Sequence, residues 1–258
     1  MNRLQSLPVS LQGRFRNHSV LKVISGLANF DSTSVERIAT AAGHGGADLL
    51  DLACDPALVR LAQHVSGLPV CVSAVDPELF PAAVQAGAVM VEIGNFDAFY
   101  PQGRIFDGPE VLQIAQRTRQ LLPDVVMSVT VPHVLPMDQQ EQLAIDLVSA
   151  GADCIQTEGG VSANPLSAGH LGLIEKAAPT LAAASAISAA LQSANCSLPV
   201  LCASGLSAVT APLAIAAGAS GVGVGSAVNR LNDSLAMVAV VRGLREAIGV
   251  SSFAQITH

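Results

Sequence analysis

The amino-acid sequence predicts a single (β/α)8 TIM barrel with phosphate-binding turns after strands seven and eight. Three observations predict it. The chain has 258 residues, which suits one closed α/β barrel over 1–258. Two punctuation signals alternate along it, one ending helices with glycine and one opening strands after proline. Late in the chain, Ala203-Ser204-Gly205-Leu206-Ser207 and Gly221-Val222-Gly223-Val224-Gly225-Ser226-Ala227 each run from an apolar strand into small residues and then a helix. Such turns let backbone N–H groups approach an anion, and the helix start adds partial positive charge.

The glycine signal recurs at Gly45-Gly46-Ala47-Asp48, Ala86-Gly87-Ala88, Ala150-Gly151-Ala152-Asp153 and Ala217-Gly218-Ala219. The Leu-Pro signal recurs at Leu68-Pro69, Leu122-Pro123 and Leu198-Pro199. Segment 1–18 is expected to cap the barrel floor. Strands follow at 20–25, 49–53, 70–74, 89–93, 125–130, 153–157, 200–203 and 221–224. Between them, Asp55-Pro56, Asp76-Pro77-Glu78, Asp107-Gly108-Pro109-Glu110 and Asp138-Gln139-Gln140-Glu141 announce helix starts, the last two at capping-box spacing. Residues 226–231 are expected to form a short extra helix, and Asp233 to cap the final one. An open doubly wound sheet is the structural rival. It needs neither eight units nor a late pair of glycine turns.

Half the residues are hydrophobic and 13% are charged, with one Tyr and no Trp, so the core is aliphatic. The net charge is −7 and no run of Lys or Arg occurs, which argues against nucleic acid and anionic membrane as partners. None of the five cysteines stands at metal-ligand spacing, and no histidine pair does, so no metal is expected. Cys71 and Cys202 have no evident activating partner, and a reducing compartment suits this cysteine usage. Residues 177–229 carry no charged side chain, yet Pro179, Pro199 and Pro212 interrupt the stretch, so it is no membrane span. Its uncharged helix faces are the expected contact of a homo-oligomer.

Barrel chemistry gathers at the C-terminal ends of strands. The polar residues there are Lys22, Asp51, Ser73, Glu92 with Asn95, Ser128, Thr130 with His133, Gln156 with Glu158, and Ser204. Lys22 is one of two lysines and stands inside an apolar strand, so it points into the barrel or is paired. Near Asp51 and Glu92 it reads as a Schiff-base nucleophile or a carbonyl electrophile, with the two carboxylates moving protons. The other reading is a structural ion-pair cluster filling a polar layer. Glu158 opens a Gly-rich loop and faces substrate or solvent. Asn95–Asp107 holds half the aromatics and reads as a lid, with Arg104 near a second anionic group, or as a small packed rim. His133 closes strand five and is a candidate for the substrate loop. Gly159–Gly172 is a second loop expected to move. The phosphate contacts are expected from Ser204, Gly205, Gly225 and Ser226.

Val20–Asp31, the Gln156-Thr157-Glu158-Gly159-Gly160 turn and the two late glycine turns resemble the hypothetical chloroplast reading frame twenty-three family of cyanobacteria and plastids. The resemblance spans the whole chain. It implies a phosphate-binding TIM barrel in a cyanobacterial cytosol or plastid stroma, and it implies no reaction. More distantly, the last two units resemble those of thiazole synthase and hexosamine-phosphate epimerases, a likeness shared across many chemistries. The leading expectation is a lyase, isomerase or synthase acting on a small phosphorylated metabolite without a cofactor. One alternative seats flavin mononucleotide in the same cup. The other is a non-catalytic sensor that binds a phosphorylated metabolite and signals through 177–229.

Overall fold

The computed structural model describes residues 2–160 and 163–254, the side chains of 250–254 excepted. Eight parallel strands close into a barrel in sequence order: β1 Val20–Gly26, β2 Leu49–Ala53, β3 Val70–Ala74, β4 Met90–Ile93, β5 Val126–Thr130, β6 Cys154–Gln156, β7 Val200–Ala203 and β8 Gly221–Val224. The helices are α1 Val9–Arg16, α2 Ser32–Gly45, α3 Pro56–Ser66, α4 Phe80–Gln85, α5 Gly108–Leu121, α6 Met137–Ser149, α7 Gly169–Ser193, α8 Ala211–Ala216, α9 Ser226–Asn229 and α10 Ser234–Ala254. The expected strands match to within one residue at each end, and the short extra helix is α9.

The strands are buried on both faces, so they read as continuous apolar runs rather than alternating ones. Alternate residues nevertheless serve different layers. Leu21, Val23, Leu50, Leu52, Val91 and Ile155 point outward and pack under the helices. Val20, Leu49, Cys71, Met90, Val126, Cys154 and Leu201 form one inward layer at the barrel floor, and Leu7, Leu11 and Phe15 pack on it from below. A ring of seven strands thus meets the N-terminal segment. The eighth strand supplies Gly221, where an added Cβ would lie 2.4 Å from the Cβ of Val20.

The recurring Gly-Ala-Asp has a structural reason on this lower rim. Asp48 accepts the N–H of Leu21 at 2.8 Å and pairs with Arg14 and Arg245. Asp153 plays the same part half a barrel away. It accepts the N–H of Met127 at 3.0 Å and pairs with Arg119 at 2.7 Å and Arg3 at 3.2 Å. Each carboxylate therefore ties the start of an even strand to the odd strand before it, a role in stability at the face remote from barrel chemistry.

Asp31, Asp55, Asp107 and Asp233 accept backbone N–H bonds at the starts of α2, α3, α5 and α10. Two details of the expected helices change. Asp76 caps a short 3-10 turn, Pro77–Leu79, and α4 begins only at Phe80. Asp138 is not a cap: α6 begins at Met137 after Pro136, and Gln140 turns inward to donate to the Leu135 carbonyl at 2.8 Å. Pro179 lies inside α7, which runs for 25 residues. The next side chain explains why that position is held. Thr180 Oγ1 lies 2.6 Å from Thr157 Oγ1 and donates to the Ala203 carbonyl at 2.5 Å, fixing α7 to β6 and β7. Among the described residues no helix is long and apolar enough to cross a membrane.

Candidate active site

Inside the barrel, above the apolar floor, lies a polar layer. Its centre is Lys22, fully buried on β1. A buried ammonium needs oxygen partners to offset its lost hydration. Nζ has three: Asp51 Oδ2 at 2.7 Å, Gln156 Oε1 at 2.9 Å and Glu92 Oε2 at 3.1 Å. The network then closes on itself. Ser73 donates to Asp51 at 2.5 Å, Asn95 Nδ2 donates to Ser73 at 3.1 Å, and Gln156 Nε2 donates to Asn95 Oδ1 at 3.3 Å. Thr130 donates to Glu92 at 2.7 Å. Burial works against the charge on Lys22, but Asp51 and Glu92 outweigh it and hold the amine protonated above its ordinary range. Burial pushes the Glu92 carboxyl up, and Lys22 pulls it back.

This arrangement fits the ion-pair reading of Lys22, Asp51 and Glu92, because an amine held as ammonium among three oxygens is a poor nucleophile. None of the three lines the chamber above. Ile24, two residues further along β1, lines it instead, and Gly223 on β8 makes the room: a Cβ there would lie 2.9 Å from Ile24 Cδ1. The cluster reaches the chamber through one side chain, Asn95, whose backbone is left-handed at φ 62°.

The chamber, of about 120 Å³, sits at the C-terminal mouth and is lined by Asn95, Asp97, Glu158, Ser204, Gly205, Gly225 and Ser226 among others. Five of the residues named from the sequence meet here with Glu158. The β7 turn is tightly made. Ser204 and Gly205 are both left-handed, at φ 75° and 74°. A Cβ on Gly205 would lie 2.8 Å from Gly160 Cα and 2.9 Å from the Lys176 carbonyl. The Gly159-Gly160 turn is thus a packing partner of the β7 turn, since a Cβ on Gly160 would lie 2.3 Å from Gly205 Cα. Part of the Gly159–Gly172 loop, 161–162, lies outside the described residues.

Next to the β7 turn stands an acid–imidazole group drawn from three loops. Glu158 Oε1 accepts from His133 N at 3.1 Å and from the Tyr100 hydroxyl, and it lies 3.1 Å from His133 Nδ1. Asp97 Oδ1 lies 3.6 Å from the same Nδ1, and Asp97 Oδ2 accepts from Ser204 Oγ at 3.1 Å. Burial, then the neighbouring Glu158 charge, pushes the Asp97 carboxyl up to about 6. Burial opposes charge on His133, but its hydrogen bond to Glu158 and the charges of Glu158 and Asp97 prevail and raise it. Burial and Glu158 together raise the Tyr100 phenol. Of this group, Asp97 and Glu158 line the small cavity, and Asp97 does so with a shifted proton affinity.

The rest of the Asn95–Asp107 loop packs as a rim. Phe96, Phe99 and Phe106 stack together, with centroids 4.6 and 5.4 Å apart for the two contacts of Phe106. Arg104 is not turned to the chamber: its guanidinium sits 4.1 Å over Phe106 and pairs with Glu110. The cations near the chamber are others. An adjoining cavity of about 300 Å³ shares Gly205 and Ser226 and is lined by Lys176 and Arg230, which make no ion pair among the described residues. Asp97 and Tyr100 were marked only by their place in the Asn95–Asp107 loop, Arg230 only by its place in the short extra helix segment, and Lys176, in α7, not at all. Asp97, His133 and Glu158 come from separate loops, so sequence spacing could not reveal their meeting as a possible ligand set.

The family described as protein of unknown function (DUF561) matches residues 6–254. The chain is 41% identical over 238 residues to the protein called uncharacterized protein ycf23 of Cyanophora paradoxa, covering 92% of this chain and 96% of that one. It is 38% identical over 234 residues to the protein of the same name of Pyropia yezoensis, covering 91% and 84%. Among solved structures, 3-hexulose-6-phosphate synthase superposes with a TM-score of 0.61 at 17% identity, over 88% of this chain and 99% of that one. At that identity the likeness is one of fold.

Proposed function

The chain belongs to the DUF561/ycf23 family, and on that premise we propose that it holds a small phosphorylated metabolite in the chamber at the barrel mouth and acts on it as a lyase, isomerase or synthase. The observation that carries this reading is the meeting, around one chamber, of the β7 and β8 turns with Asp97 and Glu158, the two carboxylates that flank His133. Gly205, Gly225 and Ser226 present backbone N–H groups to the phosphate, with the Ser204 and Ser226 hydroxyls beside them. Lys176 and Arg230, in the adjoining cavity, supply the positive charge that an acidic protein otherwise lacks there. The chamber of about 120 Å³ adjoins the cavity of about 300 Å³ at Gly205 and Ser226, which leaves room for a small phosphorylated metabolite.

His133 and the two carboxylates move protons on the carbon part of the ligand, and Asn95 orients it. Lys22, Asp51 and Glu92 act one layer below as positioning residues, because they fix Asn95 and Gln156. The solved 3-hexulose-6-phosphate synthase has a phosphorylated sugar in its name, and that class of small sugar phosphate is the proposed substrate class here.

The test is calorimetry with a panel of small phosphomonoesters and their dephosphorylated parents, followed by proton NMR of each binder over hours. At least one phosphomonoester should bind while its parent does not. Lys176→Met and Arg230→Met should each weaken it about 10-fold, as loss of a charged partner worth about 1.4 kcal/mol implies. No selectivity for phosphate overturns the binding half. A bound ligand that is never converted overturns the catalytic half and favours the sensor reading.

A further inference from the structure

We infer that Asp97, His133 and Glu158 form a divalent-cation site on the wall of the chamber. Their ligand atoms come from the loops after β4, β5 and β6 and lie within 4.8 Å of one another. His133 Nδ1 is 3.1 Å from Glu158 Oε1 and 3.6 Å from Asp97 Oδ1. Bonds of about 2.0–2.2 Å from one ion to nitrogen and carboxylate oxygen put neighbouring ligands at such separations. Two carboxylates and one imidazole form a set that suits Mn²⁺ or Zn²⁺ better than Ca²⁺, which takes oxygen ligands in larger number.

A second observation concerns one oxygen of the set. Asp97 Oδ1 is buried from water and accepts no hydrogen bond among the described residues; its positive neighbour is His133 Nδ1 at 3.6 Å, beyond hydrogen-bond reach, while its other oxygen is held by Ser204. An ion bound between them would meet that oxygen directly. The chamber's charge gives a further reason, which rests on the phosphate reading. A phosphate held by the glycine turns would share about 120 Å³ with Asp97 and Glu158, and a divalent ion between them turns repulsion into a bridge. The surroundings are those of a ligating shell. The Tyr100 hydroxyl and the His133 amide hold Glu158, and the Tyr100 ring stands edge-on to the imidazole at 5.1 Å. Binding removes the Nδ1 proton, so one proton leaves the site for each ion that enters when His133 starts neutral with Nδ1 protonated.

The test uses MnCl2 alone with the full-length protein at pH 7.5, following free Mn²⁺ by electron paramagnetic resonance. No phosphate is present, so the outcome is separate from that of the phosphate panel. One saturable site is expected. Asp97→Asn and His133→Gln should each weaken it about 10-fold or more, since even losing a group that only hydrogen-bonds to a ligand costs ~10–100-fold. Substituted Co²⁺ should show visible ligand-field bands that disappear in His133→Gln, a signature that misfolding alone, checked by circular dichroism, does not mimic. Absence of a saturable site in the parent protein overturns the inference. So does a site whose affinity survives both substitutions.

Discussion

Lys22→Met removes the central charge of the polar layer and leaves Asp51 and Glu92 buried against each other. Lys22 is fully buried, with Asp51 1% exposed and Glu92 fully buried, so little water can take its place. Breaking a buried ion pair from one side costs about 3–5 kcal/mol. At roughly 2–4 °C per kcal/mol for a chain of this size, the melting temperature should fall by roughly 6–20 °C. The loss should also depend on pH in a defined direction. Lys22 now pulls the buried Glu92 carboxyl down. Without it, the folded-state value rises further above the unfolded value of about 4.3. A folded value above the unfolded one lends stability that is complete below the unfolded value and is lost as pH rises through the folded one. The deficit is therefore smallest near pH 4 and widens toward pH 8. With no Trp and one Tyr, urea unfolding is best followed by far-ultraviolet circular dichroism. Adding Asp51→Asn and Glu92→Gln should recover more than half the loss, because no unpaired charge remains. A deficit under about 1 kcal/mol that does not vary with pH refutes the reasoning, as does a borohydride-trapped carbonyl adduct at Lys22.

Other consequences are as direct. Gly205→Ala should destabilise the protein by about 2 kcal/mol or more, combining ~1–2 kcal/mol for a left-handed alanine with backbone contacts under 3 Å, and should abolish phosphomonoester binding; urea unfolding and calorimetry read the two effects. Asp153→Ala should cost about 1–3 kcal/mol in urea unfolding, since it leaves the buried Met127 N–H without its acceptor and removes the carboxylate partner of Arg119 and Arg3, while leaving Mn²⁺ binding unchanged at the opposite end of the barrel. A thiol reagent at pH 7.5 should label Cys196 first. Burial and the nearby Asp55 and Asp76 push Cys54 up to about 12, and burial raises Cys71, Cys154 and Cys202, so those four should react only slowly or on unfolding. Mass spectrometry of the labelled peptides checks the order.

Much of the barrel was legible because its signals are local. Gly46 ends α2 in the left-handed region, and Pro199 opens β7, each within a few residues of its effect. Asp138 misled because a capping box looks the same whether or not proline has already started the helix. In the site, polarity at strand ends identified Lys22, Asp51 and Glu92 as a cluster but not its depth. Depth depends on Ile24 and Gly223, two apolar positions from opposite ends of the chain. The same limit hid the meeting of Asp97, His133 and Glu158, since only closure of the barrel makes the loops after β4, β5 and β6 adjacent. Of the five residues in Gly221-Val222-Gly223-Val224-Gly225, packing accounts for the first two glycines, and only Gly225 lines the chamber.

The most direct measurement is a crystal structure of the full-length protein grown with a small phosphomonoester. The phosphate should lie in the chamber within hydrogen-bond reach of the Gly205, Gly225 and Ser226 amides, with its carbon end toward Asp97, His133 and Glu158. A chamber holding water alone at saturating ligand, or a phosphate bound elsewhere on the barrel, would contradict the account.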